Sequence, residues 1–143
     1  MSDDARGATN EALELALRAF DRFNAGDMEA FFALQHPEIV LVPAALWPER
    51  GTFVGIEAFK RFLEQFMEAF STVRFEFARD PEAIGHLALF RGHWSGQGAT
   101  TGIATDSVDF SVVFSAREGL IDESRFFVDD PEARAFIAER TAT

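Results

Sequence analysis

From Asn10 onward, apolar side chains recur at Leu13, Ala16, Leu17, Phe20 and Phe23. Steps of three and four put them on one face of a helix. Asn24-Ala25-Gly26 supplies its stop, since glycine readily takes the left-handed conformation that ends helices. Asp27 is placed to cap a second, short helix through Leu34, carrying Met28, Phe31 and Phe32. His36-Pro37 closes it, because the residue before proline avoids the helical region. Residues 39–42, Ile-Val-Leu-Val, form a short strand. Residues 43–55 read as a loop broken by Pro43, Pro48, Gly51 and Gly55, with Trp47 at its middle. A third helix over 56–70 carries Phe59, Phe62, Leu63, Phe66 and Phe70 as a single stripe.

The period then changes from helical to alternating. Strands are expected over 73–79, 86–95, 106–116 and 120–128. Asp80-Pro81 and Gly85, a glycine-rich stretch at 96–102, and the hairpin turn Arg117-Glu118-Gly119 separate them. Asp129-Asp130-Pro131 opens a terminal helix, with proline in its first turn. Residues 1–8 look frayed, and 9–143 form a single domain. Helices first and a meander later predict an α+β fold, a curved and mainly antiparallel sheet wrapped around N-terminal helices. On the third meander strand Phe110, Val112 and Phe114 share one face and Asp109 takes the other. On the second, Arg91 and His93 share a face, read here as the inward one. That reading leaves Phe90, Trp94, Val113 and Phe127 outside, an apolar patch that predicts a homodimer through the outer sheet face. Asp122 has inward parity on the last strand.

Composition narrows the function. At 143 residues and 48% hydrophobic content, the chain can build a real core. It has no cysteine, hence no disulfide, thiol nucleophile or thiolate zinc site, and no tyrosine, hence no phenolic acid or base. With 24 acidic against 13 basic residues, the net charge of −11 disfavours nucleic acid and anionic membranes as partners. No apolar run approaches the ~20 residues of a membrane span. The start Met-Ser-Asp-Asp lacks the basic and then apolar pattern of a secretion signal, so a cytoplasmic protein is expected. The acids lack metal-ligand spacing, and Gly96-x-Gly98 opens no helix that would cradle phosphate. Neither a metal nor a cofactor is implied. The 17 phenylalanines predict a thick aromatic core or the wall of an apolar pocket.

Asn24-Ala25-Gly26-Asp27 after the first helix and Phe53-Val54-Gly55-Ile56-Glu57-Ala58-Phe59 at the entry to the third resemble the nuclear transport factor 2-like superfamily. So do His93-Trp94-Ser95-Gly96, Gly119-Leu120-Ile121 and Arg125-Phe126-Phe127-Val128-Asp129 in the later strands. The SnoaL-like, polyketide cyclase-like branch is the nearest in pattern, over about residues 13–129. The resemblance implies a conical barrel with an apolar cavity, often dimeric. Its members range from cyclases, isomerases, epoxide hydrolases and dehydratases to non-catalytic binding domains.

The acids those enzymes use are replaced here. Val42 stands before Pro43 where an isomerase base is expected, Phe110 or Val112 at the acid of the third meander strand, and Phe126 at the hydrolase's second carboxylate. An Arg-x-Asp pattern becomes Arg91-Gly92-His93. Two readings follow. One is a metal-free acid–base cyclase, isomerase or hydratase/dehydratase. In it His93 moves the proton, Arg91 stabilises an oxyanion or holds a carboxylate, and Trp47, Phe110, Phe114 and Phe126 form the wall around a small, largely apolar ligand. The other is a non-catalytic small-molecule-binding or dimerisation domain that has lost the family's acids.

Overall fold

A computed structural model describes residues 9–44, 51–98 and 104–142. Helix α1 (Glu11–Asn24) is fastened at both ends by asparagine. Asn10 Oδ1 accepts the Leu13 N–H (2.8 Å), while its Nδ2 donates to the carbonyls of Gly85 and Leu87 (3.0 and 2.9 Å). At the other end Asn24 behaves like a piece of strand. Its Nδ2 donates to Phe75 O (2.9 Å) and its Oδ1 accepts the Phe75 N–H (3.0 Å). Phe75 lies on an edge strand, whose outward backbone groups need such partners. The residues that start and stop the helix therefore also dock it on the sheet.

Helix α2 (Met28–Ala33) follows, with Asp27 Oδ1 accepting the Ala30 N–H (3.2 Å). Then come β1 (Gln35–Val42), β2 (Phe53–Val54), α3 (Ile56–Ala69), β3 (Phe70–Phe77), β4 (Glu82–Ile84), β5 (Leu87–Gly98), β6 (Ala104–Arg117), β7 (Leu120–Phe127) and α4 (Asp130–Thr141). The strand order is β2-β1-β7-β6-β5-β3, with β4 paired to β5. Strands β3, β5, β6 and β7 form the expected antiparallel meander, and β1 joins it parallel to β7. The fold is α+β, a curved open sheet with the N-terminal helices on its inner face. Strand β1 starts earlier than expected. Gln35 pairs with Ile121 ahead of Pro37, and the register breaks before resuming at Val40 and Glu123. Two residues of the expected loop, Phe53 and Val54, pair with Leu41 and Val40 as β2.

The β6–β7 hairpin turns on Glu118 (φ 58°) and Gly119 (φ 78°), the two positive-φ positions that a tight hairpin requires. The glycine is foreseeable, the glutamate less so. Glu118 Oε1 lies 2.6 Å from Nε2 of buried His36. Because His36 Nδ1 accepts the Glu38 N–H (3.0 Å), Nε2 is the nitrogen left to donate. That hydrogen bond holds the Glu118 carboxyl below its ordinary range.

Cross-strand pairing sorts the side chains. Gly92 faces Phe110, Phe90 faces Val112, and Trp94 faces Val108. Phe90, Trp94, Phe110, Val112 and Phe114 all join the main core, against Leu13, Ala16, Phe20 and Phe23 of α1 and Phe59 and Phe62 of α3. Phe20 sits at its centre, 5.1–5.7 Å from the rings of Phe75, Phe77, Phe90 and Phe114. A smaller cluster occupies the outer face, where Leu87, Leu89 and Val113 meet Ala133 and Ile137 of α4, with Phe127 alongside. This corrects the expected outer apolar patch. Phe90 and Trp94 are inside, and the chain's own terminal helix covers Val113 and Phe127. The physical ground for a dimer through that patch falls away.

At Gly92 the β3 backbone occupies the space that a side chain would need. A Cβ there would lie 2.4 Å from Glu76 O, a backbone atom that cannot swing aside. Gly92→Ala is expected to lower the unfolding free energy by about 1–3 kcal/mol. The reading is a fall in urea midpoint at constant slope. An unchanged midpoint would mean that β3 moves off freely.

Candidate functional site: an apolar pocket

The inner face of the sheet and helices α1 to α3 line a pocket of about 60 Å³. Helix α1 contributes Ala19, Phe20 and Phe23, and α3 contributes Phe59, Phe62, Leu63 and Phe66. Strands β6 and β7 add Phe114, Ile121, Ser124 and Phe126. Among the described lining residues, nine of fifteen are phenylalanines. Gln35 and Ser124 are the two polar ones, and none of the fifteen is ionisable. The volume far exceeds the ~10–15 Å³ that one water needs, and falls short of the ~150 Å³ that holds benzene without rearrangement. A molecule with one aromatic ring would fit only if phenylalanine rings moved aside.

Phe114 and Phe126 line the pocket. Phe110 stands behind them, its ring 5.5 Å from Phe126 and 5.7 Å from Phe75. Trp47 lies outside the described residues. Arg91 and His93 are not in the pocket, which corrects their expected orientation. Register is the reason. Arg91 faces Ser111 and His93 faces Asp109, so both share the outer face with those residues while Gly92 and Phe110 take the inner one. His93 Nε2 lies 3.1 Å from Glu76 Oε1 in a partly exposed pair. Asp122 is also diverted. A register shift between Ser115 and Ala116 turns Ile121 inward, and Asp122 instead accepts the Ser115 hydroxyl (2.5 Å) and pairs with Arg117 (3.5 Å).

Arg91 has a different task. Its Nη1 donates to Ser111 Oγ (3.2 Å) and to Val128 O (3.1 Å), and Ser111 Oγ donates to Asp130 Oδ1 (3.0 Å). Asp130 also accepts from Arg79 (2.8 Å) and Arg134 (2.9 Å). The chain of bonds fixes the start of α4 to β5 and β6. Burial alone would raise the Asp130 pKa, but hydrogen bonds from Arg79, Arg134 and Ser111 outweigh it and bring the pKa down to about 2.

Sequence reasoning passed over both polar pocket residues. Gln35 falls at the junction of α2 and β1, where neither helical nor strand periodicity applies. Ser124 shares a face with Phe126 two residues on, a signal present in the alternation but hidden among the acids of Asp122-Glu123. Among the described residues, no cluster of three or more His, Asp or Glu could hold a metal, and no helix is long and apolar enough to cross a membrane.

The model of the SnoaL-like domain family matches residues 16–124. No curated protein sequence matches this chain. Solved structures do. TerC co-crystallised with polyporic acid has 20% identity and a TM-score of 0.71, the match covering 90% of this chain and 98% of TerC. A protein of unknown function with a cystatin-like fold from Xanthomonas campestris has 20% identity and a TM-score of 0.73, over 90% and 98%. A protein assigned as a SnoaL-like polyketide cyclase from Jannaschia sp. CCS1 has 18% identity and a TM-score of 0.69, over 93% of each chain. At these identities the likeness establishes the fold.

The Asp130 bracket makes a prediction about pH. An unfolded aspartate has a pKa near ~3.9. The depressed native value therefore contributes stability above about pH 4, which is lost as pH falls toward 2. Asp130→Asn is expected to melt several degrees below the parent at pH 6, with the gap closing between about pH 4 and 2. A gap independent of pH would assign the loss to something other than the carboxylate.

Proposed function

The chain belongs to the SnoaL-like domain family, and we propose that it binds a small, largely apolar molecule in the cavity between its helices and the sheet. The observation that carries this reading is the lining itself, nine phenylalanine rings with two uncharged polar side chains among the described residues. Such a pocket holds a neutral, apolar guest and rejects a charged one, since burying an unpaired charge is costly. The company of TerC, crystallised with polyporic acid, supports a small-molecule guest.

The catalytic alternative, a cyclase, isomerase or hydratase working through Arg91 and His93, loses its acid–base pair to the outer face. A non-catalytic binding domain accounts better for the replacement of the family's acids by Val42, Phe110 or Val112, and Phe126. Pairing of two copies through the outer sheet face would use the surface beyond α4, where Glu76, His93 and Asp109 make a polar strip.

A thermal-shift screen of steroids, aromatic polyketides, terpenoids and small phenols tests the proposal. A guest at ~100 times its dissociation constant adds about 2.7 kcal/mol, which is several degrees for a domain of this size. Leu63→Trp, which fills the cavity, is expected to abolish the shift. His93→Ala is expected to preserve it. Loss of the shift in His93→Ala, or turnover that depends on His93, would restore the catalytic reading.

A further inference from the structure

Gln35 is 5% exposed and lines the pocket. Its Nε2 donates to Phe31 O (3.2 Å). That carbonyl can only accept, so it fixes which end of the carboxamide faces it and leaves Oε1 as the other end. Oε1 is buried and has no hydrogen-bond partner among the described residues. A buried acceptor without a donor is costly, and native structures rarely keep one without a reason. Ser124 is the one other polar lining residue among those described, and its hydroxyl makes no bond to Oε1; the rest are alanine, leucine, isoleucine and phenylalanine.

We infer that Gln35 Oε1 selects the guest: the pocket takes a neutral aromatic or alicyclic molecule bearing a hydroxyl, which donates its hydrogen bond to this oxygen. The inference rests on the binding proposal above and adds the chemistry of the guest. A carboxylate or other anion is refused, because it offers no proton to an acceptor. A pure hydrocarbon fits the walls and leaves Oε1 unsatisfied. An alcohol or phenol supplies the missing donor and keeps the rest of its surface apolar.

Phenol and toluene, nearly equal in shape, make the test. Calorimetric titration of each is run on the parent protein and on Gln35→Met, which keeps the length of the side chain and removes the acceptor. Transfer from water into apolar surroundings favours toluene, because an unpaired hydroxyl is expensive to bury. The expected result is that the parent binds phenol at least as tightly as toluene. In Gln35→Met the ratio of the two dissociation constants should swing about tenfold toward toluene. In the parent, the Gln35 side-chain amide resonances should move with phenol and stay with toluene. A crystal of the phenol complex should place the phenol oxygen within hydrogen-bond distance of Oε1.

Binding of neither molecule would overturn the parent reading of a small-molecule pocket. Binding of both with the same ratio in parent and variant would overturn the Gln35 inference and leave the pocket standing. A phenol hydroxyl directed to Ser124, or a water held on Oε1 in both complexes, would also overturn it. Should Gln35→Met fail to fold, the amide resonances and the phenol complex of the parent still decide.

Discussion

Everything about this molecule depends on the register that sets Gly92 opposite Phe110. In a sheet the side chains alternate, so one pairing assigns every neighbour on both strands. With this register Phe90, Trp94, Phe110, Val112 and Phe114 face the helices, and Arg91, His93, Asp109 and Ser111 face away. A slip of one residue would drive Arg91 and His93 into a cage of phenylalanines and expose the rings. The cost of burying an unpaired guanidinium and the lost apolar burial both oppose it. Asn24, clamping the Phe75 backbone from α1, locks the helix against the same sheet and so fixes where Phe20 and Phe23 meet it.

Two faces result, with two kinds of chemistry. The inner face gathers rings around a small cavity and admits only Gln35 and Ser124 as polar lining among the described residues. The outer face spends its charge on structure. Arg91, Ser111 and Asp130 hold α4 in place, and α4 in turn covers Leu87, Leu89 and Val113. The guanidinium groups of Arg125 on β7 and Arg140 on α4 lie 4.7 and 4.5 Å from the ring centre of Phe136 of α4, so the Arg125 cation adds to burial in holding the helix. The ionisable residues that look catalytic in the sequence are thus explained by the attachment of a helix and by a partly exposed surface pair.

The order of elements was legible because periodicity and punctuation agree. The stripe of Phe59, Phe62 and Phe66 gives a helix, the alternation of Phe110, Val112 and Phe114 gives a strand, and Glu118-Gly119 gives a turn. The direction of each strand face was harder, because alternation separates two sets of residues without saying which set meets the helices. On β5 both sets contain bulky or charged members, and only pairing with β6 resolves them. The register shift that turns Ile121 inward and Asp122 outward is a property of two strands together, invisible in either one alone. Gln35 escaped for a related reason, since it enters the sheet by pairing with Ile121 across an irregular stretch that ends only at Val40.

We propose that this register leaves a dry, ring-lined void able to accept a guest. Xenon tests it most directly, because it enters apolar cavities that water leaves empty. A crystal pressurised with xenon is predicted to show the atom among Phe20, Phe66, Phe114 and Phe126, with Arg91 and His93 remote from it on the other side of the sheet. Ordered water filling the same space, or rings closed over it with no xenon present, would contradict the account.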